Sequence, residues 1–335
     1  MRITRETLVR IAKETAQKRA LADPGLVAAY LTGSVRTENP FLGNSTDIDI
    51  VLVHAGQPKI RREVLPVTAE IHLDIVHNPR QEYEKPKELR LHPWLGPELY
   101  DPLPLFVSGH FFEFIQAGVR AEFSEPGNVL ARARKDAEHA RQIWSGLQES
   151  VIAGPTLLLS YLKSINHAAN TIALLAGNPL AERRFMLQFH ERAEAAGTPA
   201  LAADLASLLG GNWADASILS GFLTSWEEDF VQAASRKQVH PSIASPRLIY
   251  YKASFNAILA SESPLSMLWP MVHTWTLCAA ALPASQQFKW QAACETLGLF
   301  GQSFNERLEE LDRFLDAVEE KLEKLAASHG LYIPS

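Results

Sequence analysis

The stretch from residue 31 to residue 53, LTGSVRTENPFLGNSTDIDIVLV, decides the fold of the first part of the chain. An apolar run enters a turn at Gly33 and Ser34, and after a spacer of 12 residues Asp47 and Asp49 lead into a second apolar run. Side chains alternate between the two faces of a strand, so both carboxylates should project from the same face. The pattern therefore predicts two strands joined by a loop, with two acidic groups at the start of the second.

These residues indicate a site for a metal ion and a phosphate. Two neighbouring carboxylates repel each other when both are ionised, unless a cation lies between them. Hard divalent cations such as Mg²⁺ bind carboxylate oxygens together with substrate phosphates. Gly33 allows a phosphate to approach the backbone closely, and Ser34 adds a hydroxyl group. We therefore predict a phosphate-binding turn that faces a metal site at Asp47 and Asp49.

The order of Gly-Ser, a 12-residue spacer and Asp-x-Asp between apolar residues resembles the nucleotidyltransferase fold of the DNA polymerase beta superfamily. Members of that superfamily carry a third carboxylate on a later strand, and the segment IHLDIV at 71–76 supplies Asp74. The segment Leu99–Asp101 looks like the next strand of the fold. The resemblance covers roughly the first third of the chain. It implies an α+β fold, in which a small mixed-sheet domain precedes an all-helical domain.

The resemblance also implies a reaction and a set of site residues. The expected activity is transfer of a nucleotide, with AMP from ATP as the first expectation, to a hydroxyl group with release of pyrophosphate. Asp47, Asp49 and Asp74 would bind Mg²⁺ or Mn²⁺ and act as the catalytic residues. Asp74 would also help to take the proton of the attacking hydroxyl. The residues expected to bind the nucleotide are Gly33, Ser34, Arg36 and Lys163.

Length and charge limit the domain organisation and the partners. The chain has 335 residues, and we expect a catalytic domain over residues 1–110 and an all-helical domain over residues 111–335. The formal net charge of −6 argues against long nucleic acid as a partner, because such binding depends on neutralising phosphates. It favours a small hydroxyl-bearing acceptor, of which cationic aminoglycosides are one example. The layout is similar to the antibiotic-modifying branch of the superfamily.

Cysteine usage and the first residues bear on the compartment. The two cysteines have neither metal-ligand spacing nor a disulfide framework around them. The N-terminal segment is amphipathic and lacks the continuous apolar core of a signal peptide. The cytoplasm is therefore the expected location.

Helical periodicity dominates the C-terminal half and predicts long helices at 126–149, 155–176 and 303–327, with shorter helices between them. The last helix has a continuous apolar stripe, which an interior position in a bundle explains; a homodimer formed through this helix is the alternative. Residues 264–283 lack Asp, Glu, Lys and Arg and reach the length of a membrane span. A proline, a histidine and three hydroxyl groups within them favour a buried helix pair or a subunit interface, without membrane insertion.

Two groups of polar side chains each have two interpretations. Lys59, Arg61 and Arg62 either neutralise a triphosphate or form a solvated surface, which is the commoner role of a charged run. The predicted helix at 155–176 carries a polar stripe opposite its apolar face, and this stripe either meets solvent or closes over the nucleotide. The members of the stripe are Ser160, Lys163, His167 and Asn170.

Two other functions stay open at this point. One is an antitoxin-like enzyme that adenylylates a partner protein, although proteins of that kind are typically single small domains. The other is a non-catalytic domain that binds a nucleotide and serves as an interaction scaffold. The presence of all three carboxylates argues against loss of catalysis.

Overall fold

The computed structural model describes residues 3–149 and 154–331. Over these residues the chain is an α+β structure with one five-stranded mixed sheet and thirteen α-helices, most of which lie in the C-terminal part. The predicted fold class is therefore confirmed.

The chain forms two compact units. The first comprises Met1–Phe123 together with Lys252–Ser254, and the second comprises Ser124–Tyr251 and Phe255–Ser335. All five strands belong to the first unit, and the long helices belong to the second.

The first unit contains the sheet and four helices. In chain order its elements are α1 (Arg5–Ala22), β1 (Leu26–Leu31), β2 (Thr46–His54), β3 (Arg62–Pro66), β4 (Ile71–Pro79), α2 (Pro86–Arg90), α3 (Leu95–Tyr100), β5 (Leu103–Val107) and α4 (Phe111–Arg120). The strands lie in the order β3-β4-β2-β1-β5. β2 and β4 are parallel, whereas every other neighbouring pair is antiparallel. The strands β3 and β5 therefore form the two edges.

Successive strand residues point to opposite sides, so apolar side chains lie on both faces of the sheet. Helices cover each of these faces. One face packs against α1, and the buried residues there include Leu8, Ala12, Ala16, Leu31, Ile48, Ile50, Leu52, Ile71, Leu73 and Ile75. The other face packs against α2, α3 and α4, and its buried residues include Ala28, Tyr30, Val51, Val53, Leu89, Leu99, Phe112, Ile115 and Val119. We call these the α1 face and the α4 face. The three inner strands β4, β2 and β1 are thus largely buried on both sides, which explains their apolar runs.

Two sequence predictions in this unit need correction. Leu99–Asp101 is not a strand: Leu99 and Tyr100 close α3, and the strand follows at Leu103–Val107. Leu99 is buried in α3. A short buried apolar run looks the same in a helix as in a strand, so its sequence does not distinguish the two. The segment that carries Lys59, Arg61 and Arg62, for which no strand was predicted, contains β3. This edge strand is half-exposed and charged, so its sequence resembles a loop.

The second unit is entirely helical over its described residues. Its helices are α5 (Pro126–Gln148), α6 (Pro155–Ala176), α7 (Phe185–Ala195), α8 (Leu201–Leu208), α9 (Ala216–Ala234), α10 (Arg247–Leu259), α11 (Leu268–Ala281), α12 (Phe288–Thr296) and α13 (Ser303–Ser328). The long helices α5, α6 and α13 end within a residue of their predicted limits, and they pack against one another.

The uncharged segment at 264–283 is a short 3₁₀ turn followed by α11, which is buried in this unit. Its hydroxyl groups have partners there: Thr274 accepts a hydrogen bond from Trp226 Nε1 at 3.0 Å, and Thr276 accepts one from Trp290 Nε1 at 3.1 Å. The lack of charge follows from this burial. Of the helices in the described ranges, none is long and apolar enough to cross a membrane.

The apolar stripe of α13 is buried against its neighbours, as a bundle position predicts. Arg141 of α5 adds a polar contact to the same helix. Its guanidinium donates to Asp312 at 2.5 Å, to Asp316 at 2.6 Å and to Glu319 at 2.8 Å. These three acceptors lie on one side of α13 because their spacing follows the helical repeat.

Candidate metal centre

The parallel register of β2 and β4 brings the three predicted carboxylates together. Asp49 is the direct partner of Asp74 across the two strands, and Asp47 lies two residues earlier on the same face as Asp49. One oxygen atom of each carboxylate lies within 4.8 Å of the corresponding atoms of the other two. They lie on the α4 face, at the amino end of β2. The structure therefore assembles these side chains as the sequence predicted.

The chemistry of this group fits a hard divalent cation. Asp47 and Asp74 are buried, and Asp49 is half-buried, so water screens their mutual repulsion only in part. Carboxylate oxygens are the ligands that hard cations prefer. Among the described residues, the acidic, histidine and cysteine side chains that form a group of at least three able to hold a metal ion are Asp47, Asp49 and Asp74.

The turn after β1 packs directly on the cluster. Gly33 has a φ of 69°, in the region that favours glycine, and a Cβ atom placed there would lie 1.8 Å from Asp49 Oδ2. The backbone N–H of Thr32 donates to the carbonyl of Asp49 at 3.0 Å, which fixes the turn to β2. Position 33 therefore has to be glycine for two separate reasons. At position 33 the backbone itself therefore lies directly against the Asp49 carboxylate.

The two residues predicted to bind phosphate after this glycine have different surroundings. Ser34 Oγ lies 3.3 Å from the hydroxyl oxygen of Thr46, the residue before Asp47, so it is close to the acidic end of β2. Arg36 forms an ion pair with Asp101, and Arg120 lies 3.5 Å from the same carboxylate. The guanidinium of Arg36 is thus held by a carboxylate of its own unit. A phosphate would have to compete with Asp101 for it.

Arg62 is a member of the site that the sequence did not assign. Its Nε donates to Asp74 Oδ1 at 2.7 Å and its Nη2 donates to Asp74 Oδ2 at 2.6 Å, so the ion pair is bidentate. The antiparallel pairing of β3 with β4 places Arg62, Val64 and Asp74 on one face of the sheet. The alternation in RREVLP at 61–66 is the signal that could have found it. In the basic cluster of the sequence, it is the member that contacts a predicted metal ligand.

A buried polar network supports the same face of the sheet. Tyr30 donates to Glu98 at 2.5 Å, its hydroxyl lies 3.0 Å from that of Tyr83, and Asn78 donates to Tyr83 at 2.8 Å. Burial raises the pKa of the Glu98 carboxyl, whereas the hydrogen bond from Tyr30 lowers it. Burial also raises the pKa of Tyr30 well above its ordinary value. The network therefore keeps both tyrosines as neutral donors.

Nearer to the cluster, His72 lies two residues before Asp74 on β4 and is 1% exposed. The structure buries the ring completely.

The polar stripe of α6 is largely used within the helical unit. Buried Asp136 of α5 lies 3.1 Å from His167 Nδ1, and Asn170 accepts from the backbone N–H of Leu180 at 2.8 Å. Ser160 donates to a carbonyl of its own helix. Lys163 is exposed, whereas Ser160, His167 and Asn170 are half-buried or buried. The stripe is thus neither a simple solvated face nor a free set of ligands.

Comparison with known proteins adds nothing to these observations: no protein-family model matches the chain, and no curated protein matches it.

Proposed function

We propose that the chain is a metal-dependent nucleotidyltransferase that moves a nucleoside monophosphate, with AMP from ATP as the first candidate, to a hydroxyl group of a small molecule. The observation that supports this proposal most directly is that Asp47, Asp49 and Asp74 lie close together beside the Gly33 turn. One place in the sheet then offers oxygen ligands for a hard cation and a glycine backbone next to them. Phosphate transfer needs both.

Each group has a role in this reaction. The three carboxylates would hold Mg²⁺ or Mn²⁺, which when bound supplies Lewis-acid charge at the phosphate oxygens. Gly33 and Ser34 would admit the triphosphate to the backbone of the turn. The acceptor oxygen would bond to the α-phosphorus while the bond from that phosphorus to pyrophosphate breaks. Asp74 would help to take the proton that the acceptor hydroxyl loses.

Arg62 would fix the orientation of Asp74 for that role. A carboxylate offers about four lone-pair positions, and the bidentate pair uses two of them. Arg62 would therefore act as a positioning residue in addition to balancing the charge of a buried carboxylate.

The acceptor class follows from charge. The net charge of −6 opposes a polyanionic acceptor and favours a neutral or cationic one, such as an aminoglycoside. Lys163 is exposed on α6 and stays an expectation of the sequence. The location that we propose is the cytoplasm, where ATP is available.

The Arg62 pair also supports a second candidate, a domain that binds a nucleotide without transferring it. If Arg62 stays on Asp74 and no cation reaches that carboxylate, Asp47 and Asp49 alone would hold the cation with its nucleotide. The two candidates differ in one measurable quantity, which is the release of pyrophosphate.

The deciding experiment combines labelled ATP and GTP with a panel of aminoglycosides, other small polyols, tRNA and candidate protein partners, scored by pyrophosphate release and label transfer. We expect transfer to a small hydroxyl compound, dependent on Mg²⁺ or Mn²⁺ and lost in Asp49→Asn. Glu113→Gln is the matched control, because Glu113 is an exposed carboxylate of the same unit, bound to His110. Metal-dependent ATP binding without any pyrophosphate release would favour the scaffold, and transfer only to RNA or protein would contradict the proposed acceptor.

A further inference from the structure

A continuous chain of hydrogen bonds crosses the other end of the same strands, on the α1 face. His54 Nδ1 lies 2.9 Å from Asp23 Oδ2, and His54 Nε2 lies 2.9 Å from His77 Nδ1. His77 Nε2 lies 3.1 Å from Glu63 Oε1, which also accepts from Arg19 at 2.7 Å. The chain connects the segment after α1 with β2, β4 and β3. It has no part in the proposed reaction.

The protons in this chain can be assigned from the acceptors. An ionised carboxylate only accepts hydrogen bonds, so His54 Nδ1 and His77 Nε2 must each carry a proton. The two remaining nitrogens, His54 Nε2 and His77 Nδ1, face each other at 2.9 Å. In two neutral rings both of these atoms would present lone pairs and repel each other. A cation has to lie between them.

The geometry decides which cation it is. The ring centroids are 5.1 Å apart and the ring planes differ by only 20°, so the two nitrogens point almost directly at each other. A zinc ion bonds imidazole nitrogens at about 2.0–2.1 Å, so in line between them it would need a separation of about 4 Å. The observed 2.9 Å lies within the ordinary hydrogen-bond range of about 2.7–3.2 Å. A proton fits without movement of either ring.

We propose that His54 and His77 form one proton-binding site, in which a single proton is shared between the facing ring nitrogens at neutral pH. The charged groups around it match this state. With the proton, the pair and Arg19 contribute two positive charges, which balance Asp23 and Glu63.

The other charged groups nearby do not change that balance at the pair. Lys59 is exposed and lies at the edge of the neighbouring cavity. Arg61 approaches only through its carbonyl, which accepts from the backbone N–H of His77 at 2.9 Å, while its side chain binds Glu82. The shared proton is therefore the group that completes a neutral cluster.

Burial prevents the pair from taking a second proton. His77 is 6% exposed, and its burial lowers the pKa of its ring; Glu63 raises that pKa, whereas a charge on His54 lowers it further. The N–H of Gly25 lowers the pKa of Asp23, which keeps that acceptor ionised. A cavity of about 530 Å³ is lined by both histidines, together with Arg19, Asp23 and Lys59. Water can therefore exchange the shared proton with solvent.

The shared proton would make the attachment of the edge strand depend on pH. Glu63 is the residue through which β3 reaches the pair, and it lies next to Arg62, which holds Asp74 from the other face. When the pair loses its proton, the facing lone pairs repel each other and the charge balance is lost. The attachment of β3 to β4 and α1 through Glu63 then weakens.

Nuclear magnetic resonance of the histidine ring nitrogens tests the site in the unaltered chain. We expect one proton correlated with both His54 Nε2 and His77 Nδ1, and one common titration for the two rings. Exposed His110 is the internal control, because its ring pairs with the Glu113 carboxylate and not with a second ring. Two independent titrations, or two bare nitrogens throughout the neutral range, would overturn the proposal.

The pH dependence of unfolding tests the consequence, with His54→Gln as the variant. A glutamine keeps an amide that can donate to His77 but has no proton to share. In the shared state both facing nitrogens hold the proton, so the stabilising contribution of the pair is lost as rising pH removes that proton. The unfolded chain accepts both protons and the folded pair only one, so the contribution also falls in acid.

The difference in unfolding free energy between the wild type and His54→Gln should therefore be bell-shaped against pH. For His110→Gln, the control, we expect a much smaller difference without this shape. A flat difference for His54→Gln would contradict the inference. So would a rise in melting temperature with zinc that the wild type shows and the variant lacks, because the cation between the rings would then be a metal.

Discussion

The strands β2 and β4 carry two polar clusters, and the clusters differ in how their charge is balanced. On the α4 face, Asp47, Asp49 and Asp74 bring three like groups within 4.8 Å, and Arg62 forms a bidentate ion pair with Asp74. On the α1 face, the chain from Asp23 to Arg19 alternates acceptors and donors, and one proton completes it. The first cluster gathers groups of one sign, whereas the second alternates groups of opposite sign. Like charges gathered in a partly buried place are typical of a candidate active site, and alternating charges are typical of a structural network.

The largest expected effect comes from removing charge from the acidic cluster. Asp49→Asn should lower the rate of nucleotide transfer by about 10³-fold, because the metal ion that binds the triphosphate loses a central ligand. Calorimetry should show that ATP affinity no longer responds to Mg²⁺. The wild type should bind ATP far more weakly in EDTA. Equal ATP affinity of the wild type with and without EDTA would contradict the metal site itself.

Asp74→Asn should have the next largest effect, and it separates binding from transfer. We expect transfer to fall by about 10²-fold or more, the usual contribution of a general base, while much of the ATP affinity is kept. The amide would also direct one N–H toward Arg62, which already donates to both oxygens of the carboxylate. Single-turnover rates and ATP affinities, measured side by side, check this. Near-normal turnover would show that the third carboxylate is misassigned.

The turn that packs on the cluster should be sensitive to a single methyl group. Gly33→Ala should lower the free energy of unfolding by about 2 kcal/mol or more, because the left-handed region costs a non-glycine residue about 1–2 kcal/mol and the new Cβ meets Asp49. Gly56→Ala is the matched control: its Cβ would have no atom within 4 Å. Urea unfolding of both variants tests the difference. Equal stability of the two would mean that the turn adapts.

The smallest of these effects concerns the balance of charge itself. Arg62→Gln removes the positive charge that pairs with Asp74. Asp74 is only 2% exposed, but Arg62 is 38% exposed, so solvent screens the pair in part. Without metal we therefore expect the free energy of unfolding to fall by about 1 kcal/mol. Added Mg²⁺ should then raise the melting temperature more than it does in the wild type. Arg61→Gln is the control, because Arg61 pairs with Glu82 on the surface. A smaller response to Mg²⁺ in Arg62→Gln would mean that Arg62 assists the cation.

Local patterns in the sequence were enough to find the central elements. The two-residue alternation placed Asp47 and Asp49 on one face, and the apolar runs located β1, β2 and β4. Helical periodicity found the long helices for the same reason, since each buries one continuous stripe. The edge strand β3 and the short helix that contains Leu99 were not predicted, because short or half-buried segments have weak periodicity.

The sequence by itself determined the acidic pair and the glycine of the turn, and its resemblance to a known fold implied the α+β class and the third carboxylate. The acidic pair and the glycine depend on residue type and on spacing along one strand or one turn, which can be read from the sequence. Only the tertiary structure decided that Asp49 and Asp74 are direct partners, that Arg62 holds Asp74, and that His54 meets His77. Such contacts depend on the order and register of strands that are distant along the chain, and many registers are compatible with the same local pattern.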